Sequence, residues 1–536
     1  MATEWITLIN LKTPFARGLI ADKGIHLVPE SFCVNCKNIR TINGTTTMRK
    51  GYQKISNWPE GVKSKIQGLV AIKGELYTIC KGVFYKVNLW TGKLEKKDWT
   101  TFSDSKQTNF VVYNDFIFCL DGENFPKIFD KKTGTFTVLD TAKIPSGANP
   151  RFWTVFSANV YLVWGGENKN MLYISKGITK NTPTDSYDFV GTGSENLFFH
   201  SDIEAISSNK GKVYIFTANT IEVLTKDTVT VGTVTSRYST PIAGENRVAS
   251  SRSVVIADDR IFFFAKGNKV RTLEFIPWVT DISVGDLSDR AGQSIQRFLD
   301  SLDDDQSSCF WYYNKEKKQV YFHLKERGEN FNNVVLVYDV INDNFLIDTN
   351  KYFSDIVKCD GKYYAGSDTN GEIYLDDTGN MDNGQPIRRE RRNAPLSFGN
   401  PNIRKEFREV NIYGEIEDGT SIDVEVFVEW SSRFKGKIKG ANAEMAGTGS
   451  EPLAWNPYNA EFSKNWLLPF EYWITAGNLR ARGKKIELVF SWEWPWDFCL
   501  SGGSIGLIGL WDREISDKGK NESNNAKIEK NLHHNP

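Results

Sequence analysis

Five histidines, His26, His200, His323, His533 and His534, are all that 536 residues offer for imidazole chemistry. A histidine metal cage needs several imidazoles, and a hydrolytic triad needs one beside its nucleophile, so this chain has little raw material for either. Gly502-Gly503-Ser504-Ile505-Gly506 fits G-x-S-x-G, the spacing that lifts a nucleophilic serine on a strand-to-helix turn. Its acid and histidine partners must follow it, and the only later histidines sit in a charged and amide-rich terminal stretch. A glycine-rich β-turn is therefore the reading of that pentapeptide. Cys33 and Cys36 form one C-x-x-C pair, but His26 is the single further ligand nearby, so buried or half-buried free thiols are expected rather than zinc. No Walker loop or dinucleotide fingerprint occurs, and no cofactor, metal or catalytic residue is assigned.

The densest basic segment is Arg388, Arg389, Arg391 and Arg392, continued by Arg404, Lys405 and Arg408. Guanidinium groups at this density can grip phosphates or an acidic protein surface through charge-assisted hydrogen bonds. The competing reading is a solvated hinge, because Pro, Asn and Gly surround them. No aromatic residues interleave the cluster as single-strand nucleic-acid binding would want, so docking to a protein partner is preferred. Over the whole chain 66 Lys and Arg balance 66 Asp and Glu. That balance removes any global polyelectrolyte attraction to nucleic acid or membrane, and charged function must be local.

The elements that would carry these residues are short strands. Aromatic residues make up 13% of the chain, and such side chains suit the pleated, half-buried face of sheets. A pattern recurs seven times: β-forming residues, a tight polar turn, then a second strand rich in Tyr, Phe, Val and Ile. The turns fall at Lys73-Gly74, Asn114-Asp115, Ala158-Asn159, Lys210-Gly211, Asp258-Asp259, Lys317-Lys318 and Asp360-Gly361. A self-similar unit of roughly 40 to 50 residues built from strands is the signature of a β-propeller. Second turns at Thr91-Gly92, Thr133-Gly134 and Asn342-Asp343 make each blade a four-stranded antiparallel meander. The fold class is thus all-β: a propeller of about seven blades with an additional β-sandwich or platform domain.

The expected domains are residues 1–60, an N-terminal segment completing a blade or the platform; 61–382, the propeller; 383–511, the β-rich platform; and 512–536, disordered or ordered by a partner. Gly51 to Ile55 is the candidate strand for closing the last blade, since closure removes exposed sheet edges. Two insertions lengthen the repeat. Ile178 to His200 reads as a long loop, and Asp286 to Gln306 as a three-turn amphipathic helix through Ile295, Phe298, Leu299 and Leu302 with Ser288 as its cap. Phe434 to Asn465 reads as a glycine-rich loop. No stretch approaches 18 apolar residues, no secretory segment opens the chain, and seven scattered cysteines do not build a disulfide framework. A chain folding in a reducing cytoplasm, without a membrane span, is expected.

With the repeats placed, several phrases take on a likeness. Asn38-Ile39-Arg40 through Met48-Arg49-Lys50-Gly51-Tyr52, the run Gly211 to Leu224, and the strand near Phe407 preceded by Pro395 to Gly399 and Arg404-Lys405 resemble the tail nozzle, or packaged-DNA stabilisation, proteins of short-tailed bacteriophages. The likeness extends from about residue 30 to 430, with Lys50 standing where an Arg-Pro pair is usual. It implies a non-enzymatic virion protein: a homohexameric ring below the portal and the adaptor or head-to-tail connector, passing double-stranded DNA through its lumen and offering its outer face to tail fibres. Assembly in the host cytoplasm and residence in the virion tail follow from the same likeness. A strongly basic lumen would hold duplex DNA in place, so lumen-facing loops are expected to be acidic or mixed in charge. The alternative from the residues alone is a carbohydrate-binding or carbohydrate-active propeller using paired carboxylates on a host surface. A protein-interaction propeller is a third reading.

Overall fold

The computed structural model describes residues between 6 and 508; the longest stretches outside the description are 20–30, 176–187 and 440–466. Two compact units divide the chain, one of residues 50–385 and the other of residues 1–49 with 386–536.

The unit of residues 50–385 is built of four-strand antiparallel meanders. The first runs Ile66–Ile72, Glu75–Cys80, Val83–Val87, Leu94–Lys96, and it sets the pattern for the rest. Its hairpins are dictated locally. Lys73 and Gly74 both take left-handed φ, 48° and 76°, and Asp360 and Gly361 repeat this at 47° and 78°. Two consecutive left-handed residues make the turn whose twist matches that of paired strands, which is why Lys-Gly and Asp-Gly mark these positions. Neighbouring meanders then bury one another. Val70, Ile72, Tyr77, Ile79 and Phe84 of the first share a core with Ile117, Cys119 and Phe129 of the second. Ile66, Leu69, Leu76 and Tyr85 of the first also share a core with Cys359, Tyr364 and Ile373 of the last, so the series returns on itself. This is a β-propeller.

Five meanders stand as separate four-stranded sheets, a five-blade arrangement that corrects the expected count of about seven blades. The meander opened by the sixth turn, Phe310–Asn314 to Asn344–Thr349, is not one of these five, and the one opened by the seventh is part of a larger sheet, because hydrogen bonding continues past its strands. In the last of them Phe353–Cys359, Lys362–Ser367 and Ile373–Asp376 are followed in space by Tyr52–Lys54, with Lys54 opposite Tyr374 and Tyr52 opposite Asp376. A strand from the start of the unit thus covers the edge of its last sheet. Gly51 permits this, since a Cβ there would lie 1.9 Å from the carbonyl oxygen of Met381.

Three local expectations are corrected. The helix is Gln293–Asp300, two turns and not three. Ile295, Leu299 and Leu302 are buried, but Leu302 leaves the helix to bridge Glu326, and the Ser288 hydroxyl accepts from the Val270 amide instead of capping. The long loop ends in a strand, Glu195–Phe198, paired with Met171–Ile174. The glycine-rich segment begins as strand Ser431–Lys439, which pairs with Ser421–Val428; residues 440–466 lie outside the description.

In the other unit, one run of strands orders Cys33–Lys37, Arg389–Asn393, Ile486–Trp492, Ser421–Val428 and Ser431–Lys439. A second sheet centres on Phe498–Ile508, flanked by Lys405–Glu417 on one side and, along its length, by Ile6–Leu11 and Thr45–Met48 on the other. The pentapeptide Gly502 to Gly506 lies inside that central strand, Ser504 opposite both Asn10 and Asn411, so it is neither a turn nor a nucleophile elbow. The expected tail, residues 512–536, with His533 and His534, lies outside the described residues, as does His26. Among the described residues no helix is long and apolar enough to cross a membrane.

Candidate partner-docking surface

Arg389, Arg391 and Arg392 of the basic cluster sit on strand Arg389–Asn393, which is hydrogen-bonded on both edges, and Lys405 and Arg408 on strand Lys405–Glu417. Arg391 lies opposite Cys36 on one side and Phe490 on the other. A central strand alternates sides, and here the inward positions are Arg389, Arg391 and Asn393, all 0% exposed. A buried guanidinium must meet acceptors, because its desolvation is not otherwise compensated. Arg389 donates to the Ile387 carbonyl at 3.0 Å. Arg391 donates to Asn393 Oδ1 at 2.9 Å, the Arg17 carbonyl at 3.0 Å and Thr46 Oγ1 at 2.9 Å. Both are internal parts of the sheet and not a hinge or an outward docking face.

The outward positions differ. Arg392 donates from Nε and Nη2 to Glu487 Oε2 at 2.8 and 2.5 Å, while its guanidinium lies over Phe427 at 5.4 Å and Trp430 at 5.7 Å. Arg388 is exposed, with Glu493 at 3.7 Å. Arg404 is exposed, whereas Lys405 is buried and its ammonium is pushed below the usual lysine range by burial. Arg408 and Arg482 both pair with the buried carboxylate of Glu406, the latter at 2.7 Å. Of the seven basic residues singled out by sequence, the structure leaves Arg388 and Arg404 facing outward with exposed side chains.

The hairpin tip that meets the Arg392 guanidinium was not found from sequence. Glu429 and Trp430 both adopt left-handed φ, 49° and 69°, and Trp430 is 57% exposed. Such φ values are uncommon for bulky residues, and the pair forms the two-residue turn between Val428 and Ser431. The only sequence signal was a run of alternating residues ending at Trp430; nothing in Glu-Trp advertises a tight turn.

At the end of the propeller where the hairpin turns gather, charges pair from one meander to the next. Asp115 takes Lys73 from the preceding turn and Lys132 at 3.0 Å. Asp258 takes Lys318 at 2.9 Å, Glu316 takes Lys358, and Asp377 takes Lys317 at 2.5 Å. These lysines hold the carboxyls of Asp115 and Asp258 below their usual range, and Glu316 is drawn down to about 2 by Lys358 and Tyr363. The described rim is therefore mixed in charge, with Lys73, Lys317, Lys318 and Lys358 each paired to an anion of a neighbouring turn. Trp90 and Ile341, 95% and 73% exposed, occupy equivalent second-hairpin positions there, each following an Asn or Asp whose side chain accepts its backbone amide.

Among the described residues no group of His, Cys, Asp and Glu is arranged to hold a metal ion. No protein-family model and no curated protein matches the chain. Among solved structures it is similar to the extracellular domain of a one component system from B. thetaiotaomicron, at 11% identity and a TM-score of 0.39, covering 67% of this chain and 43% of that one. The chain thus spans less than half the length of that protein.

Proposed function

We propose that this chain is a structural virion protein, the tail nozzle of a short-tailed bacteriophage, acting as a ring-shaped conduit and stopper for genomic DNA below the portal and adaptor. The observation that carries the reading is that, among the described residues, most of the densest basic run and the rim lysines that reach a neighbouring turn are already engaged. Arg389, Arg391 and Lys405 are buried, Arg392 and Arg408 are held by Glu487 and Glu406, and the rim lysines pair across neighbouring turns. A surface of this kind offers phosphates no dense run of free cations, so duplex DNA would pass without the counterion-release affinity that would arrest it. The motif resemblance to nozzle proteins supplies the identity of the assembly.

In this reading the propeller is the wall of the conduit, and the two sheets of residues 1–49 and 386–508 form the sandwich or platform. Six copies repeat one heterologous contact and close by rotation. Arg388 and Arg404 are the basic residues left to meet an acidic neighbour such as the adaptor ring or a tail fibre. The protein would reside in the virion tail after cytoplasmic assembly.

The test is the mass and shape of the purified chain, alone and with its neighbouring ring proteins, by light scattering and negative-stain imaging. Sixfold rings, formed alone or on addition of the adaptor, are the expected result. A stable monomer indifferent to those partners overturns the proposal and directs attention to a glycan screen.

A further inference from the structure

In an Asn-Gly pair the backbone nitrogen of the glycine can turn on the side chain before it, because no Cβ shields that nitrogen from the asparagine amide carbon. The sequence holds three such pairs, Asn43-Gly44, Asn370-Gly371 and Asn383-Gly384. Asn43 lies outside the described residues. The other two belong to the same unit and differ in their surroundings. Gly371 is buried, and a Cβ there would lie 2.2 Å from the Ser64 carbonyl oxygen. The Asn370 amide is held at both atoms: Nδ2 donates to Tyr374 Oη at 3.3 Å, and Oδ1 accepts from the Glu372 amide at 3.2 Å. Asn383 and Gly384, by contrast, are both exposed, and a Cβ on Gly384 would meet nothing within 4 Å.

Asn383 and Gly384 take left-handed φ, 48° and 84°, and form the two-residue turn between Met381–Asp382 and Gln385–Pro386. Each arm of that hairpin is two residues long, so its turn can open while the propeller stays folded. The same turn grips the strand that covers the last sheet. The Asn383 amide donates to the Tyr52 carbonyl at 2.7 Å, its Oδ1 accepts from the Lys54 amide at 3.3 Å, and Asp382 lies opposite Tyr52. The Lys54 donor draws electron density from the side-chain carbonyl of Asn383 and is placed to stabilise an oxyanion formed there by attack on its carbon.

We propose that Asn383-Gly384 is a self-modifying site, at which Asn383 loses ammonia and becomes isoaspartate or aspartate, releasing the grip of this turn on Tyr52–Lys54. The Gly384 nitrogen attacks Cγ of Asn383; the N–C bond forms, the Cγ–Nδ2 bond breaks, and the amine leaves as ammonia with the Gly384 amide proton. Water then opens the cyclic imide. Addition at Cγ restores the ordinary linkage and leaves an aspartate, whereas addition at the main-chain carbonyl routes the chain through Cβ and Cγ as isoaspartate. In sum, one asparagine and one water give one acidic residue and one ammonia, and nothing is oxidised or reduced. Isoaspartate lengthens the backbone where the bonds to Tyr52 and Lys54 are registered, and either product sets a new carboxylate next to the buried Asp382. Solvent water is the only co-reactant, and the chemistry is independent of whether the chain serves as a nozzle.

The test is timed incubation of the folded full chain in mildly alkaline buffer, then digestion and mass spectrometry of the peptides holding Asn370 and Asn383, with isoaspartate counted by enzymatic methylation of its free carboxylate. The expected result is conversion at Asn383 several-fold faster than at Asn370, a difference that largely disappears when the chain is unfolded in urea. Hydrogen exchange at Tyr52–Lys54 should accelerate in the aged chain while exchange in Glu75–Cys80 keeps its fresh rate. Asn383→Ser, which has no side-chain amide to lose, should show no such change with age. Equal conversion at Asn370 and Asn383 in the folded chain, or none at Asn383, overturns the site; unchanged exchange at Tyr52–Lys54 after conversion overturns the released grip. The wild-type measurements decide even if the variant fails to fold.

Discussion

At the scale of single residues the propeller holds two buried ionisable groups whose removal has calculable consequences. Lys351 Nζ meets Asp376 Oδ1 at 2.8 Å with side-chain exposures of 3% and 1%. Breaking a buried pair strands the remaining charge, so Lys351→Met should cost about 3–5 kcal/mol. Adding Asp376→Leu should recover most of that, and the urea midpoints of the single and double variants measure both. A single variant within 0.5 M of wild type would show that the pair is not buried in solution. His323 is also fully buried, stacked on Phe310 at 4.4 Å, and neither ring nitrogen has a hydrogen-bond partner. Burial holds its pKa well below the ordinary histidine value; Lys351 and Arg252 push the same way and Asp348 opposes. The unfolded chain therefore binds this proton more readily than the folded one. Stability is whole above about pH 6.5 and falls below it by up to about 1.4 kcal/mol per pH unit. His323→Phe keeps the stack and should remove that part of the acid slope that sets in below about pH 6.5, read as the difference between the two denaturation profiles. An unchanged slope would mean that His323 is protonated in the native state. Neither residue could be placed from sequence, because a lone His or Lys on a strand carries no mark of which face it occupies. The arginines misled for a related reason. Charge in a Pro- and Gly-flanked run suggests solvent, yet Arg389 and Arg391 take the inward positions of a strand paired on both edges.

At the scale of elements, the hairpins were readable because their determinants are local: Lys73-Gly74, Asp258-Asp259 and Asp360-Gly361 each contain at least one residue with left-handed φ. The two-turn helix was half readable. The spacing of Ile295 and Leu299 marks its buried stripe, but the competition of the Val270 amide for Ser288, which denies the helix that cap, comes from a distant strand. What closes the last sheet is likewise non-local, a three-residue strand some 320 positions from its partner. Its anchor is Tyr52, whose ring meets Phe353 at 5.1 Å and Tyr374 at 4.9 Å edge-on. The approach of its backbone depends on Gly51, whose missing Cβ leaves room for the Met381 carbonyl. Gly51→Ala should therefore loosen this strand in particular. Hydrogen exchange at Tyr52–Lys54 and Ile373–Asp376 should accelerate while exchange in Glu75–Cys80 stays near wild type. Uniform acceleration would mean that closure and the rest of the propeller unfold as one.

At the scale of the molecule, closure decides where the propeller can be cut. A fragment beginning at residue 61, where the repeat first becomes visible in sequence, lacks Tyr52–Lys54 and leaves the backbone donors and acceptors of Ile373–Asp376 without that partner. Such an edge is a template for pairing with another chain. It would also unroof Tyr374 and Phe353, which Tyr52 covers. A fragment of residues 50–385 keeps the strand, the core shared by the first and last meanders, and the turn-to-turn ion pairs. The expected outcome is that residues 50–385 give a monodisperse species with one cooperative thermal transition, whereas residues 61–385 aggregate or melt several degrees lower; light scattering and calorimetry separate the two. Equal behaviour of both fragments would show that the first strand decorates the ring and does not close it. Ion pairs at the rim cannot substitute for the missing strand, since exposed pairs contribute about 0–1 kcal/mol each and weaken with salt. The difference between fragments should accordingly persist at 0.5 M salt, which assigns the stability of the closed propeller to the hydrogen-bonded strand and not to its rim charges.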